Sequence, residues 1–410
     1  LHGLLAHGFQ IMTHYFPDLP TALTEGGALV NDMGEGMRWF CYGGYRRRVT
    51  FGHQGALMSR PFLEWLIRRR VLTLPNITLL DRCDVDEPIA SLDNRAITGV
   101  AVIERAAGNR RRELAADLVV DAAGRVSAAP KWLEALGYTR PEESLVKVNV
   151  GYATRIYRRN PQEAGANDWI FITPDAPKEK RMGGAFPIEG DRWVVSVGGW
   201  SGDHGPTDEA AFLQFAKSLP APDVYEVINN NEPLSDIVVH KFPASLRRHY
   251  ETLSRFPEGY LVMGDAHCSF NPLYGQGMTS AAIQAQTLDR FLAERRGLLA
   301  GIAIPFFKQV AKAIDIPWQT AVGEDFRFPA TEGKKAPGTN FINGYVARVH
   351  RASHHDDIVC KAFLDVMNLL KPPTSLFQPQ ILWRVLWRNR NAQTQRAQAG
   401  TTEMHYATRS

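Results

Sequence analysis

The run Gly264-Asp265-Ala266-His267-Cys268-Ser269-Phe270-Asn271-Pro272-Leu273-Tyr274-Gly275-Gln276-Gly277-Met278 concentrates residue types that can hold a ligand. It follows Tyr260-Leu261-Val262-Met263, an apolar stretch with the length of a buried strand. A strand placed there delivers the Asp265 carboxylate to the C-terminal edge of a sheet, where it can accept hydrogen bonds from ligand hydroxyls. Pro272 stiffens the approach, while Gly275 and Gly277 remove side chains so that a flat ligand can lie against backbone. A long helix expected from about Gly277 to Glu294 aims free N–H groups and a partial positive charge at the same place. A ligand that becomes anionic during a reaction is stabilised in such a site. Taken alone, Gly264-Asp265 reads more simply as a turn with a capping aspartate; the whole run favours the ligand.

Two further segments carry candidate groups. Asp117-Leu118-Val119-Val120-Asp121-Ala122 reads as a strand that ends in Ala123-Gly124-Arg125, setting Asp121 and Gly124 at its C-terminal edge. Arg60, between Ser59 and Pro61, opens an expected helix and offers a rigid fork of donors. His53, His204, His240 and His267 have no readable partner and read as packing or surface residues, so no catalytic acid or base is assigned. In His354-His355-Asp356-Asp357 an aspartate is expected to cap the helix that follows, and no metal site is expected. The four cysteines, Cys41, Cys83, Cys268 and Cys360, lie far apart with neither a CxxC pair nor zinc spacing, which speaks against a disulfide framework and for a reducing, cytoplasmic setting.

The chain that must position these groups has 410 residues, enough for two or three domains. Its 44% apolar and 22% charged content is that of a globular enzyme and excludes a disordered chain. A net charge of +4 makes no case for nucleic-acid binding. The longest apolar run, Gly297 to Phe307, is short of the ~20 residues a bilayer span needs. Helical spacing is expected over 4–25 up to Pro17 and over 60–72, a strand-and-turn texture over 36–58, and buried strands at Ile77–Leu80 and Val100–Glu104. From Val146 to His249 strand-like segments (146–156, 169–173, 181–187, 193–198) precede helices at 208–218 and 221–229, with Glu189-Gly190-Asp191 as a hairpin turn. The remainder from about Ile302 to Trp387 reads as helical, with Pro305, Pro317, Pro329 and Pro372-Pro373 as breakers.

The 264–278 run resembles the second flavin-binding motif of the FAD-dependent monooxygenases of the para-hydroxybenzoate hydroxylase type. Within them it is most similar to the branch near squalene epoxidase and the polyether epoxidases, where a Gly-Asp…Asn-Pro…Gly-Gln-Gly-Met run is characteristic. The resemblance implies an α/β (α+β mixed) fold. A Rossmann-like FAD-binding domain (1–145, returning at 251–300) would be interleaved with an antiparallel-sheet substrate domain (146–250), followed by a helical region (301–390) and a flexible tail (391–410). It implies that Gly264 and Asp265 meet the ribityl chain and that Pro272, Gly275, Gln276, Gly277 and Met278 lie under the isoalloxazine. The segment 117–125 resembles the family's middle motif, which places Asp121 and Gly124 beside the pyrophosphate and, in some members, beside NAD(P)H. Here Ala123-Gly124 stands where Asp-Gly is usual. Ser59-Arg60-Pro61 matches the place where members set an Arg or Gln on the FAD side. The first motif, GxGxxG on an opening strand–turn–helix, is absent, and a βαβ unit takes about 30 residues. The expectation is a chain without the ADP-binding start.

The implied activity is oxidation of a lipophilic small molecule by O₂, an epoxidation or hydroxylation through a flavin C4a-(hydro)peroxide with NAD(P)H as electron donor. Trp39–Tyr45, Tyr152, Trp169, Phe171, Phe186 and Trp200 are candidate pocket lining. Trp383, Leu386 and Trp387 with Arg384, Arg388 and Arg390 form a basic amphipathic end for packing or for weak membrane-surface contact. A related-fold reductase stays open, as does a truncated relative without FAD. A halogenase is disfavoured, since no Trp-x-Trp-x-Ile-Pro run occurs and the nearest text is Arg192-Trp193-Val194-Val195-Ser196.

Overall fold

In a computed structural model that describes residues 4–388, the chain opens with α1 (Ala6–Tyr15), which ends before Pro17, and α2 (Leu19–Glu25). Pro17 has no N–H and disfavours helical backbone in the residue before it, so the helix must stop there. Strand β1 (Leu29–Asp32) is followed by the hairpin β2 (Met37–Cys41) and β3 (Gly44–Tyr45). Its two-residue turn holds Tyr42 and Gly43 at φ of 50° and 78°, the left-handed pair such a turn requires. Strand β4 (Gln54–Leu57) pairs back on β1 and leads into α3 (Arg60–Val71), capped by the Ser59 hydroxyl, which accepts from the Phe62 N–H at 3.2 Å.

A three-stranded antiparallel sheet comes next, formed by β5 (Cys83–Ala90), β6 (Ile97–Glu104) and β7 (Arg110–Ala115). After β8 (Val119–Asp121) and α4 (Ala129–Ala135) the chain enters its largest layer. This contains β9 (Glu143–Arg158), β10 (Trp169–Ile172), β11 (Arg181–Ile188) and β12 (Arg192–Gly199), then α5 (Glu209–Lys217), α6 (Asp223–Asn230) and β13 (Val238–Arg248). Strands β14 (Tyr260–Val262) and β15 (Cys268–Ser269) and the helix α7 (Gly277–Glu294) follow. The rest is helical: α8 (Ala303–Asp325), α9 (Thr339–Ala352), α10 (Asp357–Met367) and α11 (Pro379–Trp383).

The large sheet has eight strands in the order β15-β13-β9-β12-β11-β10-β2-β3, antiparallel except where β10 meets β2. Side chains alternate across it, as a pleat demands. Ala153, Val195 and Val197 face Phe212, Phe215 and Val224 of α5 and α6, while Val148, Val150 and Tyr152 face Val322 and Phe326 around the end of α8. Between β9 and β13 the register shifts around Pro243, opposite Asn149, which takes a left-handed φ of 46°. That is a bulge at a residue that cannot donate to the ladder. Gly190 and Asp191 turn β11 into β12, both at positive φ, as expected for that turn.

The mixed α/β class, the strands of 143–199 and the extent of α7 agree with the sequence reading. Several details do not. Ile77–Leu80 forms no strand: it is irregular and its Ile77, Leu79 and Leu80 side chains are exposed, because no described strand lies alongside to complete a ladder. Pro317 lies inside α8 rather than breaking it. The buried face of Phe306, Phe307, Val310, Ile314 and Ala321 holds the helix together across the lost hydrogen bond. Strands β5 and β7 have no apolar alternation in the sequence; they lie in solvent, cross-linked by Arg111 to Asp86 and Glu87. In the C-terminal stretch Arg384 is not part of a free basic face. It is largely buried and donates to both oxygens of Asp356, the residue that caps α10, while Trp383 and Trp387 are exposed. Arg390 and the 391–410 tail lie outside the described residues. No helix among them is long and apolar enough to cross a membrane.

Candidate functional site

Two short strands far apart in the chain make the site. Strand β14 pairs in parallel with β8, setting Val262 beside Asp121 and Leu261 beside Val120. The turns that leave both strands, Ala122–Ser127 and Met263–His267, therefore emerge side by side at one sheet edge. Arg248, at the end of β13, stitches them together. It donates to the Ala266 carbonyl at 2.7 Å and to the Arg125 carbonyl at 3.2 Å, and its Nε reaches Glu143 at 3.1 Å. No sequence pattern singled out Arg248, because two of its partners are main-chain oxygens, one of them 123 residues away in the chain.

Asp121 turns inward. Its carboxylate accepts the Ala123 N–H at 2.8 Å, the Ser127 hydroxyl at 2.6 Å and the Tyr260 hydroxyl at 3.2 Å. It shapes the turn and leaves Gly124 to face outward at a φ of 79°, with open space where a Cβ would sit. Asp265 does the reverse. Its carboxylate is solvent-accessible with no hydrogen-bond partner among the described residues. Crowding on the protein side pushes its pKa up, while the charges of Arg60 and Arg125 pull it down. The three residues thus form a plus–minus–plus group at the mouth of the two turns. Arg125 is half-buried, lies over the Phe242 ring at 5.2 Å and donates to Ser269 at 3.4 Å; burial and the neighbouring Arg248 push its pKa down.

The loop that follows is tied down on its protein side. Asn271 is fully buried, takes a hydrogen bond from the Leu273 N–H at 3.2 Å and donates its own N–H to Ser245 at 3.1 Å. Pro272 opens a short 3₁₀ turn that Gly275 closes at a φ of 67°. Gln276 stands at the N-cap of α7 with its side chain buried and its Oε1 without a partner. No side chain caps that helix, so its first N–H groups are free to meet a ligand. Gly264 and Gly277 both face open space where a Cβ would be, and the Gly264 N–H is held by Gln284 of α7 at 2.8 Å. Met278 and Arg60 share the wall of an open groove of about 530 Å³ with Met12, Leu63, Ile67 and Leu79.

His267 sits inside the loop in sequence but behind it in space. It is fully buried, edge-on to Tyr250 and Phe307, with Glu251 at 3.8 Å. Burial pushes its pKa down despite that carboxylate. His53 contacts Gln10 at 3.1 Å and His204 contacts the Asn149 carbonyl at 3.2 Å. Of the aromatic candidates, Trp39, Trp169 and Phe186 pack with Phe171 in one cluster. Tyr152, Trp200 and Phe242 pack in another that includes Leu273 and Tyr274 of the loop. The second cluster is the one that adjoins the site.

No protein-family model matches the chain. Its fold is shared with a flavoprotein/dehydrogenase from Cytophaga hutchinsonii, with a TM-score of 0.63 at 11% identity over 97% of this chain and 90% of that one. It is shared with the flavin-dependent brominase Bmp2, with a TM-score of 0.61 at 11% identity over 97% and 90% of the two chains. It is shared as well with PqsL, a probable FAD-dependent monooxygenase from Pseudomonas aeruginosa, with a TM-score of 0.57 at 18% identity over 80% and 88%. In sequence the chain is 34% identical over 337 residues to Protein Rv3254 of Mycobacterium tuberculosis (strain ATCC 25618 / H37Rv), covering 79% of this chain and 70% of that protein. The chain belongs to the family of Protein Rv3254.

Proposed function

We propose that this chain is a flavin-dependent oxidoreductase that holds FAD at the paired turns and works as a monooxygenase on a lipophilic small molecule. The observation that carries the reading is the convergence of Asp265, Gly124 and the uncapped start of α7, with open space over Gly264 and Gly277. The residues fit the group. Asp265 has a free carboxylate for ribityl hydroxyls, Arg60 and Arg125 offset its charge and can meet phosphate oxygens, and Gln276 has an unused buried Oε1. The α7 N-terminus suits the anionic edge of a reduced flavin.

Bound FAD would supply the redox chemistry with O₂, and NAD(P)H is the proposed electron donor. The chain's own residues do the rest. Asp121, Arg248 and Gln284 hold the turns in shape, and the aromatic cluster of Tyr152, Phe242 and Tyr274 offers an apolar wall that excludes water beside the loop. An alkene substrate needs no general base, which agrees with a site whose nearest histidine faces inward. The brominase likeness favours a second reading, a halogenase. The Arg192–Ser196 stretch forms the first five residues of β12, with Trp193 buried against α5 and α6, and so offers no exposed tryptophan to a halogenation channel.

The test is a titration of the purified chain with FAD, read by the flavin absorbance spectrum, followed by oxygen uptake with NAD(P)H and apolar alkenes. Flavin binding that is lost in Asp265→Ala, with oxygen uptake dependent on substrate, supports the reading. Flavin binding with reduction of substrate and no oxygen uptake points to a reductase, and absence of binding overturns it.

A further inference from the structure

Helix α8 reaches the ligand loop through one side chain. Asp325, its last residue, is fully buried. Its Oδ1 accepts three hydrogen bonds: from Tyr274 Oη at 2.8 Å, Asn271 Nδ2 at 2.9 Å and Trp200 Nε1 at 3.1 Å. Two of these donors belong to the loop and the third follows β12 of the large sheet. Its Oδ2 is equally buried and has no partner. A carboxylate divides its charge over two oxygens, and leaving one of them bare in an apolar setting carries the full desolvation penalty. Around it lie Val322, Phe326 and the stacked pair Trp200–Phe328, whose rings are 5.1 Å apart. One crowded oxygen and one bare oxygen suit a carboxylic acid, whose carbonyl accepts and whose hydroxyl tolerates an apolar neighbour better than a charge would.

The groups facing Asp325 agree. Glu324, next to it on α8, is held through both oxygens by Arg327, at 2.6 and 2.8 Å. Arg327 lies 5.9 Å from the ring of Tyr42 in the β2–β3 turn and donates to the Asn343 carbonyl of α9. On the loop side the titratable neighbour is Tyr274, whose phenol is fully buried and raised by burial, then by Asp325 and Glu324. None of Asp325's hydrogen-bond donors is a cation.

We propose that Asp325 is the positioning residue of the ligand loop, and that its own proton decides whether the Asn271–Tyr274 turn stays seated against Trp200 and α8. Protonated, the acid accepts all three donors and the turn is closed. Ionised, by loss of one proton to solvent, the bare Oδ2 demands water, and water reaches it only when the turn lifts from Trp200. Burial pushes this carboxyl up to about 7 against the pull of its three donors, which puts the change near neutrality. What the loop binds rests on the flavin reading; the latch itself does not. An anionic ligand at the α7 N-terminus would bind with uptake of this proton, so its affinity would fall as pH rises through about 7.

The experiment uses the full ligand-free chain, followed by tryptophan fluorescence and by amide exchange over 270–276, from about pH 5 to about pH 9. Wild type is expected to show one transition near neutrality that exposes the loop amides at the higher pH, with a fluorescence component lost in Trp200→Phe. Asp325→Asn should abolish the transition. Tyr274→Phe keeps the carboxyl but removes one of the bonds that seat the turn in the protonated state, so the midpoint should move down by about one pH unit. An unchanged transition in Asp325→Asn overturns the proposal; should that variant fail to fold, an unmoved midpoint in Tyr274→Phe does so. A second arm measures FAD binding by calorimetry in two buffers of different ionisation enthalpy. Proton uptake present in wild type and absent in Asp325→Asn extends the latch to the ligand. PH-independent FAD affinity in wild type overturns that extension, and no FAD binding at any pH overturns the flavin reading while the ligand-free transition still decides the latch.

Discussion

Asp121 and Asp265 end adjacent strands, yet the first has both carboxylate oxygens bonded to protein and the second has neither. Their substitutions should therefore separate folding from binding. Asp265→Ala is expected to leave the melting temperature within a degree or two while weakening FAD binding by about 10- to 100-fold, the loss of one or two charge-assisted hydrogen bonds. Asp121→Ala should destabilise the protein by about 2 kcal/mol, because it leaves the Ala123 N–H and the Ser127 and Tyr260 hydroxyls short of an acceptor. Thermal melts beside flavin titrations check both. Asp32 is a third kind of carboxylate: burial pushes its pKa up, but N–H groups of Gly52, Phe51, Gly34 and Glu35 outweigh that and bring it down. It organises the turn around Gly34-Glu35-Gly36, a segment with no part in the site.

At the scale of elements, helix contacts decide how the loop is held. Helices α1 and α7 meet at Gly8, where an added Cβ would lie 2.4 Å from the Thr279 hydroxyl and 2.8 Å from Leu4. Gly8→Ala should cost about 2 kcal/mol through forced separation of the two helices, and denaturant midpoints will show it. The C-terminal helices depend on a buried ion pair. Asp356 accepts the Ile358 and Val359 N–H groups as cap of α10 and binds Arg384 at 2.9 Å. Asp356→Ala should cost about 3 kcal/mol, because it removes both the cap of α10 and the carboxylate to which Arg384 donates, and the cycle with Arg384→Met should return a coupling of more than about 1 kcal/mol.

For the whole molecule, one buried and one partly buried carboxyl with opposite shifts shape stability against pH. Asp325 is raised in the fold to about 7 by burial, so its contribution is full below the ordinary aspartate value and is lost as pH rises through about 7. The shift corresponds to about 4 kcal/mol. Glu251 goes the other way: burial pushes it up, but a hydrogen bond with His249, the nearby His267 and the charge of Arg247 outweigh that and hold it well below the ordinary glutamate range. Its contribution is full above the ordinary glutamate value and is lost only in strong acid. Stability should therefore peak in mildly acidic solution and decline toward pH 8, and Asp325→Asn should flatten the alkaline side of that curve; denaturant titrations from about pH 4 to about pH 9 check it.

The amino-acid sequence by itself determined what is local. The Gly264–Met278 run announces its own strand, turns and helix, and α7 begins and ends where the pattern places it, because glycine, proline and apolar spacing act within a few residues. The same is true of the 143–199 strands, whose alternation is a direct consequence of the pleat. Only the tertiary structure decided which groups meet. Tyr260 and Asp121 are 139 residues apart and joined by a parallel ladder that no local pattern encodes, and Arg248 ties two turns through main-chain carbonyls, which have no residue type to read. Asp325 lies on a helix that reads as ordinary amphipathic sequence; its burial against the loop comes from the way α8 packs on the large sheet. Ile77–Leu80 shows the converse, an apolar run that looks like a strand and is not one, since a strand exists only with a partner to receive its hydrogen bonds.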